Sequence, residues 1–253
     1  MLAVARKSKI KDLIQEKKSI TVAELAKMFS ITEETIRRDL KQLEDEGFLQ
    51  RTYGGAYIQD GVQNDISVNI RENLYVSSKQ KIADKSATLI NNGDSIFLDS
   101  STTSLYIATK IRDNRLTVIT NSLKVANTLA DSETIRLIVI GGTLSPSSMS
   151  FLGPSAVANM QSFFVDKAFI SCRSISIENG VTDSNELQAE LRQVAMKRAN
   201  KVYLVADFTK FNKTSFTNIC PLNAIDTIIV DGILSDGWHS VLEKNQVELI
   251  ECV

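Results

Sequence analysis

The sequence is poor in the residues from which most catalytic and metal sites are built. Histidine occurs once, as His239 beside the single tryptophan, Trp238. A histidine-based triad and a multi-histidine metal site are therefore excluded, and His239 reads as an ordinary surface or loop residue. Cysteine occurs three times, at Cys172, Cys220 and Cys252. An odd number, far apart and without metal-ligand spacing, reads as reduced thiols in a cytoplasmic protein. No apolar run approaches the ~20 residues that span a bilayer, and the start Met1-Leu2-Ala3-Val4-Ala5-Arg6 lacks the long apolar stretch of a secretory signal. Neither a Walker pattern nor Gly-x-Gly-x-x-Gly is present, which argues against nucleotide binding. Internal repeats and low-complexity segments are also missing. No cofactor, no catalytic residue and no metal ligand is expected. Nor is there an excess of charge of one sign: 29 Lys+Arg face 30 Asp+Glu, for a net charge of −1. That excludes a polycation held to nucleic acid by bulk electrostatics, but not a local basic patch.

What is present is a globular composition. The 253 residues are 43% hydrophobic, enough for a real core and for one to two domains. The first eighteen residues hold Arg6, Lys7, Lys9, Lys11, Lys17 and Lys18 against Asp12 and Glu16, a basic lead-in. Residues 8–48 have a helical pattern without glycine or proline until Gly47. Gln59 to Ser67 are polar and non-periodic, and a linker is placed over 59–74, between a first domain at 1–58 and a second at 75–253. In the second, short apolar runs at 95–99, 116–120, 136–140, 167–170, 201–206, 227–230 and 247–251 read as strands. They alternate with helical patterns at 79–90, 102–111, 122–130, 154–163 and 185–199, and this alternation implies βαβ units and a largely parallel sheet.

In the first domain, Ile10, Leu13 and Ile14 give one apolar face, so a first helix is expected over Lys9 to Lys17. Thr21 and Glu24 form a capping box for a second helix with the stripe Val22, Leu25, Ala26 and Phe29. Thr32 caps a third, with Glu33 and Glu34 in its first turn, where the dipole favours acids. Ile31 and Ile36 fit a hydrophobic staple, Ile36, Leu40 and Leu43 face inward, and Gly47 ends the helix. Two such helices joined by a tight turn match a helix-turn-helix, whose second helix lies in the major groove. Thr32 and Thr35 can donate to phosphate or base edges. Arg37 and Arg38 diverge by about 100°, so one can enter the groove while the other holds a phosphate. Phe48 to Ile58 read as a β-hairpin wing, with Arg51 and Tyr53 near the DNA backbone.

In the second domain the densest polar cluster is Asp99-Ser100-Ser101-Thr102-Thr103-Ser104, between an apolar strand and a helical pattern. Two readings fit it: helix capping alone, or an anion site at a helix N-terminus, with Asp99 accepting from sugar hydroxyls. Other strand ends repeat the theme with Thr120-Asn121-Ser122, with Gly141-Gly142, and with Asp207 and Lys210. Ligands of open α/β sheets bind beyond the carboxyl ends of the strands. One lysine, several hydroxyls and backbone donors suit a phosphorylated polyol. The candidate effector residues are thus Asp99, Ser100, Ser101, Thr102, Thr103, Thr120, Asn121, Gly141, Gly142 and Lys210.

Thr35-Ile36-Arg37-Arg38-Asp39-Leu40, then Leu43, Glu46-Gly47 and Arg51-Thr52-Tyr53-Gly54-Gly55-Ala56, resemble the DeoR/GlpR family of bacterial transcriptional regulators. The resemblance continues through Phe97-Leu98-Asp99-Ser100, Val118 to Ser122, Ile140-Gly141-Gly142, Leu152-Gly153-Pro154, Asp166 to Phe169, Gly180-Val181-Thr182 and Ala206-Asp207 with Lys210-Phe211. It implies a winged helix-turn-helix repressor, usually of sugar or nucleoside catabolism genes. It also implies a sensor domain similar in fold to ribose-5-phosphate isomerase and CoA-transferase proteins, which binds a phosphorylated sugar in dimers or tetramers. Three departures bear on the site. Tyr53 stands where the family's wing usually has histidine, Ser101 replaces the glycine of Asp-Ser-Gly-Thr-Thr, and Ser171 and Ser174 stand where glycine is usual. A Cβ there blocks backbone approach or demands a different dihedral, so the ligand is expected to differ in size or pose or to bind weakly. Around Glu186, Glu190 and Arg192 the pattern matches less cleanly, and no binding role is carried there.

Three functions compete. The first is a cytoplasmic regulator that binds operator DNA and a phosphorylated sugar, has no membrane partner, and forms a homo-oligomer. The second is a sugar-phosphate isomerase with an appended module, drawing acid–base chemistry from Asp99, Asp207 and Lys210. The third is a protein-interaction scaffold.

Overall fold

In the computed structural model, which describes residues 2–58 and 66–253, the chain divides into the units Met1–Val76 and Ser77–Val253.

The first unit holds α1 (Ala3–Lys17), β1 (Ser19–Thr21), α2 (Val22–Phe29), α3 (Glu33–Asp45), β2 (Gln50–Thr52), β3 (Gly55–Tyr57) and α4 (Val68–Glu72). The caps form as the sequence dictates. Glu24 N–H donates to Thr21 Oγ1 (3.1 Å) while Thr21 N–H donates to Glu24 Oε2 (2.8 Å), and Thr32 caps α3. Ile10, Ile14, Leu25, Ile36, Leu40 and Leu43 close the core. Helix α1 starts six residues earlier than its apolar stripe suggests, because Arg6 is drawn inward. Its Nε lies 2.6 Å from Asp39 Oδ2 and its Nη2 3.2 Å from Oδ1, with both side chains buried. This paired contact fixes α1 against α3.

Strand β3 lies between β1 and β2. Its first residue must be glycine, since a Cβ on Gly55 would sit 2.3 Å from Ile20 O and 2.9 Å from Thr21 Cα. The structure corrects the second half of the expected linker. Residues 66–74 carry α4, which packs on this sheet: Ile66 and Ile70 are buried with Tyr57, and Ser67 N–H donates to Ser19 Oγ (2.8 Å). The polar run before Ile66 masked the apolar side chains that follow it. The first half, 59–65, lies outside the described residues.

The second unit continues with α5 (Val76–Thr88), β4 (Ser95–Leu98), α6 (Thr102–Lys110), β5 (Leu116–Thr120), α7 (Leu123–Leu129), β6 (Ile135–Val139), β7 (Thr143–Ser145), β8 (Ser150–Leu152) and α8 (Pro154–Gln161). There follow β9 (Val165–Ile170), β10 (Ser174–Ser176), β11 (Gly180–Asp183), α9 (Glu186–Lys197), β12 (Ala199–Val205), β13 (Thr217–Cys220), β14 (Thr227–Val230), α10 (Asp236–Lys244) and β15 (Glu248–Glu251). The seven strands expected from their apolar runs make one parallel sheet, ordered β15-β14-β12-β9-β4-β5-β6. The chain winds from β4 out to β6 and resumes at β9 on the other side of β4. Order therefore reverses between β4 and β9, which places a crevice at their carboxyl ends.

Three features were not foreseen: the hairpin β7–β8, the antiparallel sheet β10-β11-β13, and α10. Helix α10 buries Trp238, whose Nε1 donates to Asn212 Oδ1 (2.8 Å). His239 stands half-exposed on that helix, 3.0 Å from Glu251 Oε1.

Candidate nucleic-acid interface and ligand cradle

Helix α3 buries Ile36, Asp39, Leu40 and Leu43 and turns its other faces outward. Most of the residues expected at DNA already have partners. Thr32 and Thr35 share a hydroxyl–hydroxyl contact of 3.0 Å. Arg37 Nη2 lies 2.6 Å from Glu33 Oε2 one turn back. Arg51 is clamped to α3, its Nε donating to Glu44 Oε2 (2.7 Å) and its N–H to Glu44 Oε1 (2.9 Å). These bonds hold the Glu44 carboxyl below its usual range and fix the wing's angle to α3. Arg38 is exposed, with no ion-pair partner among the described residues. Tyr53 stands at the wing tip, 92% exposed.

In the second unit, Asp99 ends β4 at the crevice and is 1% exposed. Its Oδ1 accepts from Ser101 N–H (2.9 Å) and Ser104 Oγ (2.6 Å). Its Oδ2 accepts from Ser171 N–H (2.9 Å) and Arg192 Nε (2.7 Å). The carboxylate is thus saturated and cannot also accept from a sugar hydroxyl, the role expected of it. It organises the loop instead. Burial pushes its pKa up, but Arg192 and the Ser101, Ser104 and Ser171 donors outweigh that and hold it at about 2. The second arm of Arg192 reaches Asp183 Oδ2 (2.5 Å). Burial disfavours the Arg192 charge, but the two carboxylates outweigh this and raise its pKa.

This loop leaves donors unspent. Ser101 Oγ caps α6 by accepting from Ser104 N–H (3.0 Å). The N–H groups of Ser100, Thr102 and Thr103, and the hydroxyls of Thr102 and Thr103, make no hydrogen bond to a described residue. Ser100 Oγ donates to Gln188 Oε1 (2.8 Å), and Gln188 Nε2 donates to Ser150 Oγ (3.1 Å), tying the cradle to α9 and β8. Across the crevice, Lys210 Nζ donates to Ser171 Oγ and Cys172 O, both at 2.8 Å. Its partners are neutral, so its charge is uncompensated by them.

The remaining candidates stand further along the sheet edge. Thr120 is spent, its Oγ1 donating to Leu98 O (2.7 Å) and accepting from Ser122 N–H (3.0 Å). Asn121 Nδ2 donates to Phe151 O (3.2 Å), while its buried Oδ1 has no partner among the described residues. Gly142, at φ +151°, makes room for the hairpin, since a Cβ would lie 2.7 Å from Leu152 O. Gly141 is exposed beside it. The cradle therefore gathers Asp99 to Thr103 and, through Ser171, Lys210; the two glycines lie two strands away. The serines at the family's glycine positions cause no backbone strain: Ser101 has φ −74°, and Ser171 and Ser174 lie outside the positive-φ region.

Sequence reasoning gave no role to Arg192 and passed over Asp183, Gln188 and Ser150. One signal was available: Gln188 and Arg192 fall on the buried face of α9 with Ala189, Leu191 and Ala195, and a charge on an apolar stripe needs a partner.

The saturated carboxylate makes a prediction about pH. Its folded pKa of about 2 lies below the ordinary value of about 3.9. Its contribution is present above about pH 4 and lost as pH falls through about 2, and it amounts to about 2 kcal/mol. The stability gap between the natural chain and Asp99→Asn should narrow across that window in urea unfolding. A gap that stays constant with pH would refute the assignment.

A winged helix-turn-helix joined to a parallel α/β unit with a donor-rich crevice defines a DNA-binding regulator with a sensor unit. Comparison with known proteins agrees. Residues 6–61 match the DeoR-like helix-turn-helix domain and residues 75–232 the DeoR C terminal sensor domain. The chain is 39% identical over 249 residues, 98% of its length and 96% of the relative's, to the uncharacterized HTH-type transcriptional regulator YulB of Bacillus subtilis. It is 33% identical to the HTH-type transcriptional repressor GlcR of Bacillus subtilis, over 95% of this chain and 93% of that one. Against the L-fucose operon activator of Haemophilus influenzae the identity is also 33%, over 92% and 94%. Among solved structures, ribose 5-phosphate isomerase A from Methanocaldococcus jannaschii matches with a TM-score of 0.39 and 15% identity over 53% of each chain. The chain belongs to the DeoR family of helix-turn-helix transcriptional regulators.

Among the described residues no helix is long and apolar enough to cross a membrane, and no group of three or more His, Cys, Asp or Glu could hold a metal ion. The three cysteines are free. Burial pushes the Cys172 and Cys220 thiols up to about 12, which keeps them unreactive.

Proposed function

We propose that the protein is a cytoplasmic repressor of a carbohydrate catabolic operon, released or engaged by a phosphorylated sugar. The Met1–Val76 unit binds operator DNA through Thr32, Thr35, Arg37, Arg38, Arg51 and Tyr53. The Ser77–Val253 unit senses the effector and forms the dimer or tetramer. The observation that carries the effector reading is the set of unspent donors at the N-terminus of α6, facing the Lys210 ammonium across Ser171. Backbone N–H groups, hydroxyls and one cation at a helix N-terminus suit a phosphate. Relatives point the same way, one being named a repressor and another an L-fucose operon activator. Turnover is not part of this reading. Aldose–ketose isomerisation needs a carboxylate base placed at the substrate, but Asp99 and Asp183 are held by Arg192, and Asp207 spends its Oδ1 on the Thr209 N–H and hydroxyl.

The test is a thermal-shift screen of sugar phosphates against their unphosphorylated parents. At 100 times Kd a ligand adds about 2.7 kcal/mol, a rise of about 5 °C or more at this size. Lys210→Ala should abolish the rise while leaving the unliganded midpoint within about 2 °C. Equal shifts from parent and phosphate would overturn the phosphate reading.

A further inference from the structure

Successive residues of α3 turn by about 100°, so Glu34, Arg38 and Lys41 project opposite the buried stripe of Ile36, Asp39, Leu40 and Leu43. All three are exposed. Glu33 and Arg37 lie instead on the flank of Glu44, the residue that grips the wing, and they are paired with each other. Glu34 and Arg38 have the same spacing and order, which favours an ion pair on a helix surface. Yet among the described residues neither side chain has a partner. The outward face of the recognition helix thus presents a free carboxylate one turn before a free guanidinium.

A carboxylate facing DNA is repelled by every phosphate, so it lowers affinity for all sequences. It regains that loss only where a base amine donates to it; cytosine N4 is the major-groove amine that suits a carboxylate, whereas adenine N6 stands beside the acceptor N7, which repels one. Arg38, one turn on, matches guanine O6 and N7. We propose that Glu34 is a specificity-determining residue, reading a cytosine beside the guanine read by Arg38. This rests on the operator-binding reading above. Glu34 then has two tasks, since its position in the first turn also favours the helix dipole.

The two tasks separate in one experiment. The full-length natural chain and Glu34→Ala are each used to select duplexes from a randomised DNA library, and binding is then measured to the selected duplex, its single-base variants and unselected DNA. The natural chain should select a half-site in which one position is cytosine, preferred about tenfold over other bases. Glu34→Ala should bind unselected DNA about two- to fivefold more tightly and lose preference at that position alone. Glu34→Gln should move the preference there toward adenine, whose N6 and N7 fit an amide. If the variants keep the whole motif and merely bind all DNA more tightly, Glu34 serves the dipole only and the proposal fails. If the natural chain selects no motif at all, the operator-binding reading falls with it. Thermal midpoints of the variants exclude misfolding as the cause.

Discussion

Replacing Arg192 by methionine is expected to destabilise the sensor unit by about 3–5 kcal/mol while leaving the DNA-binding unit folded. The guanidinium is 7% exposed and lies between Asp99 and Asp183. Methionine fills the volume but leaves two carboxylates buried without a counter-charge. Urea unfolding of the intact chain measures this, because Trp238 lies in the sensor unit and the DNA-binding unit has no tryptophan, so tryptophan fluorescence follows the sensor unit alone. The Trp238 transition should move to lower urea, and the loss should shrink at low pH as the carboxylates protonate. Arg192→Lys should recover only part of the loss, since one ammonium cannot reproduce a planar fork that bridges two acids. A triple variant with Asp99→Asn and Asp183→Asn should be milder than Arg192→Met alone. A Trp238 transition unmoved by Arg192→Met would show that the ion network is not what holds the cradle.

Replacing Arg38 by alanine is expected to lower affinity for the operator by about 1–3 kcal/mol per reading helix, a factor of about 5–150. Its affinity for unrelated DNA should change little. Arg37→Ala should behave differently. Arg37 lies on the wing-side flank, paired to Glu33, and is suited to a phosphate. Its loss should weaken binding to all sequences alike and reduce the log–log salt slope by about one. Anisotropy titrations of operator and scrambled duplexes at several salt concentrations separate the two patterns. Equal loss of operator and scrambled binding in Arg38→Ala would remove Arg38 from base reading.

Periodicity alone exposed most of the frame. The central strands Phe97-Leu98, Val118-Ile119 and Ile228-Ile229 are buried on both faces and so appear as apolar runs that need no partner to be recognised. The caps Thr21 and Thr32 were equally plain, because their signal is local. What stayed hidden depends on distant partners. Arg6 read as part of a basic lead-in, and its pairing with Asp39, 33 residues away, makes it a core residue. The hairpin β7–β8 is three residues a side, too short to show alternation. At the candidate site, the sequence drew attention to the hydroxyl cluster and Lys210, but residue type could not show how Asp99 spends its lone pairs. That is decided by Ser171 and Arg192, brought in from β9 and α9 by the fold.

The way Asp99 is used bears on how such a sensor can change. Its four donors come from the cradle loop, α6, the end of β9 and α9, and none is a group left open toward a ligand. The open groups belong to Ser100, Thr102 and Thr103. On the effector reading proposed above, scaffolding and recognition fall to different atoms of one short loop. On that reading, substitutions at Thr102 or Thr103 would retune which small molecule is felt without loosening the joint that keeps the sheet and its helices in register. A lineage carrying this loop would then be free to exchange one metabolite for another while the same architecture persists.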